Sequence, residues 1–337
     1  KMKEILKTFI SLIVLLTISI LVYLTWIINK GEFKSKYLEE FINNKFKTEN
    51  FYTSIEDPVI KFDKNKKTII IDGKNFSVFS LDKNKVLEFQ NLKIHINFIP
   101  LITKRKLIAN KIEMLEGKIN FPTVFVEPLK INYINLDGYI NANQKEINLS
   151  NFSVSIKEDF YEGTVKIDTN NIIATGNLTK LNRKKVFYGL DLSSQNLDFK
   201  ANKNQFFIEG KALFGGVNVY FKGNKKYKDK SKYISKYSLS GNIDEKQMEK
   251  VFNLKTTPFL EGPIKFNATY FIYNGSKKQI KTSSNLKESK LNFPFLGLTK
   301  NEGIEATADI DFNFTKEKIS EIKILSYKQE NKEINGL

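Results

Sequence analysis

The sequence has no cysteine and a single histidine, His95, and of its basic residues only Arg105 and Arg183 are arginines. Each shortage excludes something. Without cysteine there is no disulfide framework, no thiolate nucleophile and no thiolate metal site. With one histidine, any Ser-His-Asp triad or His-based metal site must use His95. That residue occupies a polar-face position of a strand pattern with no carboxylate near it in sequence, so it reads as a surface histidine. The formal net charge of +17 would suit a nucleic-acid binder, but such proteins use arginine for bidentate contacts to phosphate and guanine. Here the charge is nearly all lysine, which reads as a solvated surface with some attraction to anionic lipid headgroups and no nucleic-acid partner. Catalytic fingerprints are missing too: no G-x-S-x-G, Walker A or G-x-G-x-x-G stretch occurs. Asp63 and Asn65 open like a calcium loop, but the lysines around them oppose a cation. The N-x-[ST] triplets, such as Asn148-Leu149-Ser150, are chance matches in so asparagine-rich a chain. No catalytic residue, metal or cofactor is expected, and an anchored hydrolase is disfavoured by the same inventory.

What is present begins with "FISLIVLLTISILVYLTWII", an uncharged run of twenty residues from Phe9 to Ile28. At about 1.5 Å per residue it spans a hydrocarbon core of about 30 Å. Phe9, Leu15 and Leu21 supply its apolar body, and Tyr23 and Trp26 sit near its C-terminal end, where amphipathic rings favour the interface. A cleaved signal peptide is the rival reading, but the run exceeds a typical h-region and "INKGEFKSK" offers no small-residue cleavage site. The expected organisation is a cytoplasmic N-terminus (1–8), a transmembrane helix (9–28), a juxtamembrane helical segment (29–57) and a translocated β region (58–337). In the helical segment, Tyr37 or Leu38 with Phe41, Ile42, Lys45 and Phe46 form one apolar stripe at helical spacing.

Beyond residue 58 the period falls to two. "TIIID", "NFSVFSL", "NLKIHINF", "KINYINLDGYI", "VFYGLDLS" and "GPIKFNATYFIY" read as short strands between Asn-, Gly-, Asp- and Lys-rich turns. In "EINLSNFSVSI" the phase slips between Leu149 and Phe152, as at a β-bulge. Leu92, Ile94, Ile96 and Phe98 share one face, and Pro100 with the basic turn Lys104 to Lys106 makes a Pro-Leu corner before the next strand. Ile264, Phe266, Ala268, Tyr270 and Ile272 share another. One more helix is expected: Asp244 caps "EKQMEKVFNL", with Met248, Val251 and Phe252 facing inward. The fold class is mainly β, mostly antiparallel, with two short helices. Two helices cannot cover so many half-apolar strands, so the apolar face must meet another sheet, close on itself, or hold a ligand such as lipid acyl chains. An outer-membrane barrel is disfavoured by the N-terminal span and the short strands. A sandwich, a closed barrel and a long curved sheet with an apolar groove remain open at this point.

Two stretches resemble a known family. "LEFQNLKIHINFIPLITKRKLIANKIEMLEGKINFP" resembles the opening of AsmA-like proteins of the YhdP branch, in which a strand ends in a Pro-Leu corner. "LEGPIKFNATYFIYNG" followed by "SSNLKESKLNFPFLGLTKNEGIEATADIDFNF" resembles the YhdP central region through Asn285-Leu286, Pro294, Leu296-Gly297, Lys300 and Gly303. The departure is length, since YhdP-like proteins continue well beyond this point, and a parent chain longer at the C-terminus is expected. The resemblance implies a long curved sheet with an elongated apolar groove. It implies an inner-membrane, single-pass protein with its bulk in the periplasm of a diderm bacterium. It further implies bridge-like phospholipid transfer between inner and outer membranes in support of the outer-membrane barrier, with a periplasmic or outer-membrane partner at the distal end. Leu92, Ile94, Ile96, Phe98 and the Ile264–Ile272 set are then candidate groove residues. The alternative is a non-catalytic envelope scaffold whose dry β-sandwich binds other envelope proteins.

Overall fold

Strands whose side chains alternate apolar and polar satisfy their backbone only by pairing, and this chain pairs each with a neighbour in sequence. The structure, a computed structural model, describes residues 31–336 except 35, 46–50, 81, 83, 105, 121–127, 142–145, 169–170, 172, 188, 228–233, 253–258, 274–276, 316–317 and 331. The expected span at 9–28 lies outside these residues. No helix among the described residues is long and apolar enough to cross a membrane. The chain divides into two compact units, Lys1–Leu149 and Ser150–Leu337.

The first unit contains β1 (Glu32–Lys34), α1 (Lys36–Lys45), β2 (Phe51–Asp63), β3 (Thr68–Ser80), β4 (Lys85–Asn97), α2 (Phe98–Lys104), β5 (Ile108–Ile119) and β6 (Leu129–Asn141). β1 through β6 pair antiparallel in chain order. The helical segment expected to reach residue 57 ends sooner, because β2 begins at Phe51 and pairs with the end of β3. Its alternation is hidden by register shifts between Ser54 and Val59, where Asp57 adopts a φ of 48° ahead of Pro58. "TIIID" and "NFSVFSL" likewise prove to be one strand, β3, running through Gly73. α1 packs on β2, and the Asn43 side chain accepts a hydrogen bond from the Ile55 amide at 3.2 Å. The side chains of the predicted α1 stripe lie outside the described residues. The Pro-Leu corner is a short helix, α2, and Phe98 belongs to it rather than to β4. Pro100 falls in its first turn, where a missing N–H has no cost.

Strand β7 (Glu146–Ile156) contains the dividing point. The second unit runs through β8 (Asp159–Asp168), β9 (Ile173–Phe187), β10 (Leu190–Asn202), β11 (Gln205–Phe214), β12 (Val217–Lys226) and β13 (Ser235–Ile243). After α3 (Glu245–Phe252) and β14 (Leu260–Glu261) come β15 (Ile264–Ile272), β16 (Lys278–Asn285), β17 (Lys290–Phe293), β18 (Leu298–Lys300), β19 (Ala306–Thr315), β20 (Lys318–Gln329) and β21 (Lys332–Gly336). β8 to β13, then β15, β16, β19, β20 and β21, form a continuous antiparallel meander. "VFYGLDLS", expected as one strand, is the end of β9 and the start of β10 with a turn between them, where Gly189 takes a φ of 75°. α3 begins with a reciprocal capping box: Asp244 Oδ1 accepts from the Gln247 amide at 2.8 Å, and Gln247 Oε1 accepts from the Asp244 amide at 3.1 Å. Met248 and Val251 of α3 pack inward as expected, and the Phe252 side chain lies outside the described residues.

The hydrophobic core of the second unit spans β9 to β12 through Leu178, Leu197, Ile208 and Phe221 and continues to one end of the strands. There Ile243, Ile264, Leu286 and Ala306 join Leu260, Leu291 and Leu298 from a small sheet of β14, β17 and β18. That three-stranded piece is the only sheet besides the meander pairings among the described residues.

Candidate functional site

Direct cross-strand partners share a face, so the pairing register reads out the chemistry of each side of a sheet. In the first unit Ile60, Ile71, Ile94, Ile112 and Leu136 form one row across β2 to β6. The adjacent row, Val59, Asp72, Lys93, Glu113 and Asn135, points the other way. The two faces are thus chemically distinct. On the apolar one Leu92 and Ile96 are buried, while Ile94, Ile112 and Met114 are only half-buried. Phe98 joins that side from α2 and meets the Phe62 ring edge-on at 5.1 Å.

His95 lies on the polar face, yet it is not a solvated surface residue. Its side chain is 14% exposed and its Nε2 stands 3.1 Å from Glu113 Oε2. Lys111 reaches the other Glu113 oxygen at 2.8 Å. Burial works to raise the Glu113 pKa, but the hydrogen bonds from Lys111 and His95 prevail and hold it below the usual carboxylate value. The same hydrogen bond raises that of Lys111. The pairing register brings in this carboxylate, which is remote in sequence.

In the second unit the rows are longer. Phe199, Ile208, Gly223, Tyr237, Tyr270 and Ile280 are successive partners from β10 to β16. The next row runs Leu197, Gly210, Phe221, Leu239, Ala268 and Thr282. The opposite face carries Lys222, Glu209, Lys281 and Asp311, with Lys222–Glu209 and Lys281–Asp311 ion pairs both at 3.1 Å.

A recurrent device shapes the apolar rows of both units. Strand-interior glycines stand opposite large side chains: Gly73 opposite Leu92, Gly117 opposite Phe89, Gly163 opposite Leu178, Gly176 opposite Phe199, and Gly241 opposite Phe266. The large groups lie across the vacancy. A Cβ on Gly117 would come within 2.7 Å of Phe89 Cε1, and one on Gly176 within 2.7 Å of Phe199 Cζ. Such pairs let a sheet bend toward its apolar side while an aromatic ring covers the bare backbone. Phe89 and Leu197 are completely buried in this way.

Coverage of the face is uneven. On β9 to β12, Leu178, Leu197, Ile208, Val219 and Phe221 are buried. On β13 to β19, Leu239, Ala268, Tyr270, Ile280 and Ile310 are only half-buried. Of the residues singled out on β15, Ile264 is buried beneath the small sheet, whereas Phe266, Ala268, Tyr270 and Ile272 belong to the half-covered part.

Of the motif residues between Asn285 and Gly303, Leu286 and Lys300 are buried, Asn285, Pro294, Gly297 and Gly303 are exposed, and the Leu296 side chain lies outside the described residues. Asn285 Oδ1 accepts from the Lys287 amide at 2.9 Å, and Gly297 and Gly303 hold φ angles of 63° and 86°. Lys300 is 2% exposed. Its Nζ donates to the carbonyl oxygens of Lys287 (3.2 Å), Ser289 (2.5 Å) and Asn301 (3.0 Å). Burial pushes its pKa down. The ammonium therefore ties the Lys287–Ser289 turn to β18. Among the described residues, no group of three or more histidine or carboxylate side chains could hold a metal ion.

Sequence reasoning found the apolar residues of β4 and β15 but missed the cross-strand glycines, the Lys300 cage and the covered part of the face. The glycines carried a readable signal, since a glycine inside a strand pattern marks a bulge or a close approach. Comparison of the chain with protein-family models, curated proteins and solved structures finds no match.

Proposed function

We propose that this protein is a non-catalytic lipid conduit of the AsmA-like, YhdP-type class, anchored in the inner membrane of a diderm bacterium by residues 9–28. Its β units then stand in the periplasm and carry phospholipid toward the outer membrane and a partner at the distal end. One observation carries the reading: the half-buried apolar rows on β13 to β19, with no second large sheet over them among the described residues of that unit. Apolar surface left in water is costly, at about 25 cal/mol per Å², and an acyl chain lying along such rows removes it from water at each step of its passage. The headgroup stays solvated throughout. Transfer along a surface of this kind needs no covalent step, so neither a catalytic residue nor a cofactor is required.

Site-specific photocrosslinking in cells tests this. A photoreactive residue at Ile94, Ala268 or Tyr270 is expected to capture phospholipid, while one at Lys93 or Lys281, on the opposite faces, captures far less. Equal capture from both faces, or none from the apolar positions, would refute the proposal. Capture of another envelope protein at those positions would instead support the scaffold alternative.

A further inference from the structure

One end of the first unit presents exposed isoleucine beside exposed lysine. α2 turns Phe98 inward against the Phe62 ring, at 5.1 Å, and leaves Ile99 and Ile102 53% and 60% exposed. Three residues apart, the two share one face of the helix. The Phe98 amide donates to the Lys67 carbonyl oxygen at 3.2 Å, which holds α2 beside the β2–β3 turn. That turn exposes Lys66 and Lys67, and α2 ends on exposed Thr103 and Lys104. Asp63 is the only acid in the sequence of the two connections, 63–67 and 98–107. Its Oδ1 is taken up by the Asn65 and Lys66 amides, at 3.0 and 3.1 Å.

The chain enters the unit at this same end. The Gly31 carbonyl oxygen accepts from the Phe62 amide at 3.3 Å, so the residues before β1 arrive beside the ring that Phe98 touches. The uncharged run Phe9–Ile28 ends three residues before Gly31, a reach of at most about 11 Å even when fully extended. The headgroup layer on each side of a bilayer is about 5–8 Å deep. α2 therefore lies close to any membrane that this run crosses.

We propose that α2 is an interfacial wedge in the membrane that anchors residues 9–28. Ile99 and Ile102 enter the boundary between headgroups and acyl chains, and Lys66, Lys67 and Lys104 rest on anionic lipid. The inference rests on the anchor of the lipid-conduit reading and goes beyond it by giving the first unit a second attachment. Charge complementarity and the point of chain entry select the occupant. Isoleucine gains by leaving water, and each lysine near an anionic surface favours contact about fivefold. An acidic protein would also attract the lysines, but only the bilayer is held within reach by the chain itself. One attachment leaves a body free to swivel, whereas two fix which end of β2 to β6 meets the bilayer.

The test uses the full-length chain in nanodiscs of brominated phosphatidylcholine, with or without an equal share of brominated phosphatidylglycerol. Because the chain has no cysteine, Thr103→Cys carries a single fluorophore, which brominated acyl chains quench only near their own depth. Asp82→Cys, in the exposed β3–β4 turn at the opposite end of the strands, serves as the control. Quenching is expected at Thr103 and not at Asp82. Ile99→Asn/Ile102→Asn, a change at exposed positions, should cut it about threefold or more, and so should omitting phosphatidylglycerol. Lys66→Gln/Lys104→Gln should make the two lipid compositions alike. A chain retained in the nanodiscs with Thr103 quenched no more than Asp82 overturns the wedge and leaves the anchor standing. Quenching that survives the isoleucine variant, or that ignores phosphatidylglycerol, also overturns the wedge. A chain that does not stay in the nanodiscs overturns both.

Discussion

Replacing Gly117 with alanine probes the packing that lets a large side chain lie across its own sheet. Phe89 is completely buried, and its ring occupies the space that a Cβ on Gly117 would fill. The added methyl would also press on the Glu88 carbonyl oxygen, which belongs to the β4 backbone and cannot swing aside. Overpacking of this kind costs about 1–3 kcal/mol. Taking about 2 kcal/mol, the amides of β4 and β5 should exchange roughly thirtyfold faster if they open together. Phe89→Ala removes a fully buried aromatic ring and should cost about 3–5 kcal/mol. In the double variant the ring no longer meets the methyl, so the combined loss should fall short of the sum by about 1 kcal/mol. Hydrogen exchange with mass spectrometry suits a chain of two units, for which a single unfolding free energy is poorly defined. Exchange of β4–β5 peptides in Gly117→Ala within twofold of wild type would refute the close-packing argument. Strict additivity in the double variant would show that the ring is not the group the methyl strikes.

Two further perturbations act on other parts of the fold. Glu113→Gln removes the charge and one of the two oxygens that accept from Lys111 and His95, and should loosen β4–β5 by about 0.5–1 kcal/mol at neutral pH. Because the folded-state pKa of Glu113 is lowered, its contribution is present above the unfolded carboxylate value and lost as pH falls through the folded one. The difference in exchange between wild type and variant should therefore vanish in acid, and a difference that persists or grows there contradicts the assignment. Lys300→Met leaves the carbonyls of Lys287, Ser289 and Asn301 without the ammonium that binds them. The Lys287 and Asn301 carbonyls keep the Gly303 and Ile304 amides as donors, so the loss falls chiefly on the Ser289 carbonyl. At about 1–3 kcal/mol for such a group, the turn should open more readily, and trypsin should cut after Lys287 and Lys290 about tenfold faster. Unchanged cleavage would mean that the cage does not hold the turn.

The sequence made the strand content and the apolar side of β4 and β15 legible because alternation survives wherever the register is regular. It failed where register shifts or positive φ break the period. The bend at Asp57-Pro58 hid the start of β2, and the Gly189 turn made two strands read as one. The corner at Pro100 proved helical because a proline early in a helix leaves no backbone donor unsatisfied that was not already so. His95 illustrates a different limit. Its partner, Glu113, lies on the next strand, and only the pairing register brings the two within hydrogen-bond distance.

Lys300 shows why a motif can be readable without its meaning being so. From sequence it is one lysine among many, and lysines are usually solvated. In the fold it is nearly inaccessible and its ammonium donates to three backbone carbonyls, a role that a planar, bulkier guanidinium fills poorly and a methionine, which donates nothing, does not fill. The flanking glycines at 297 and 303, with their positive φ angles, shape the turns around it. The small sheet to which Lys300 belongs packs with Ile243 and Ile264 at one end of the strands, so a single buried ammonium holds together the turn and the sheet that close the core there.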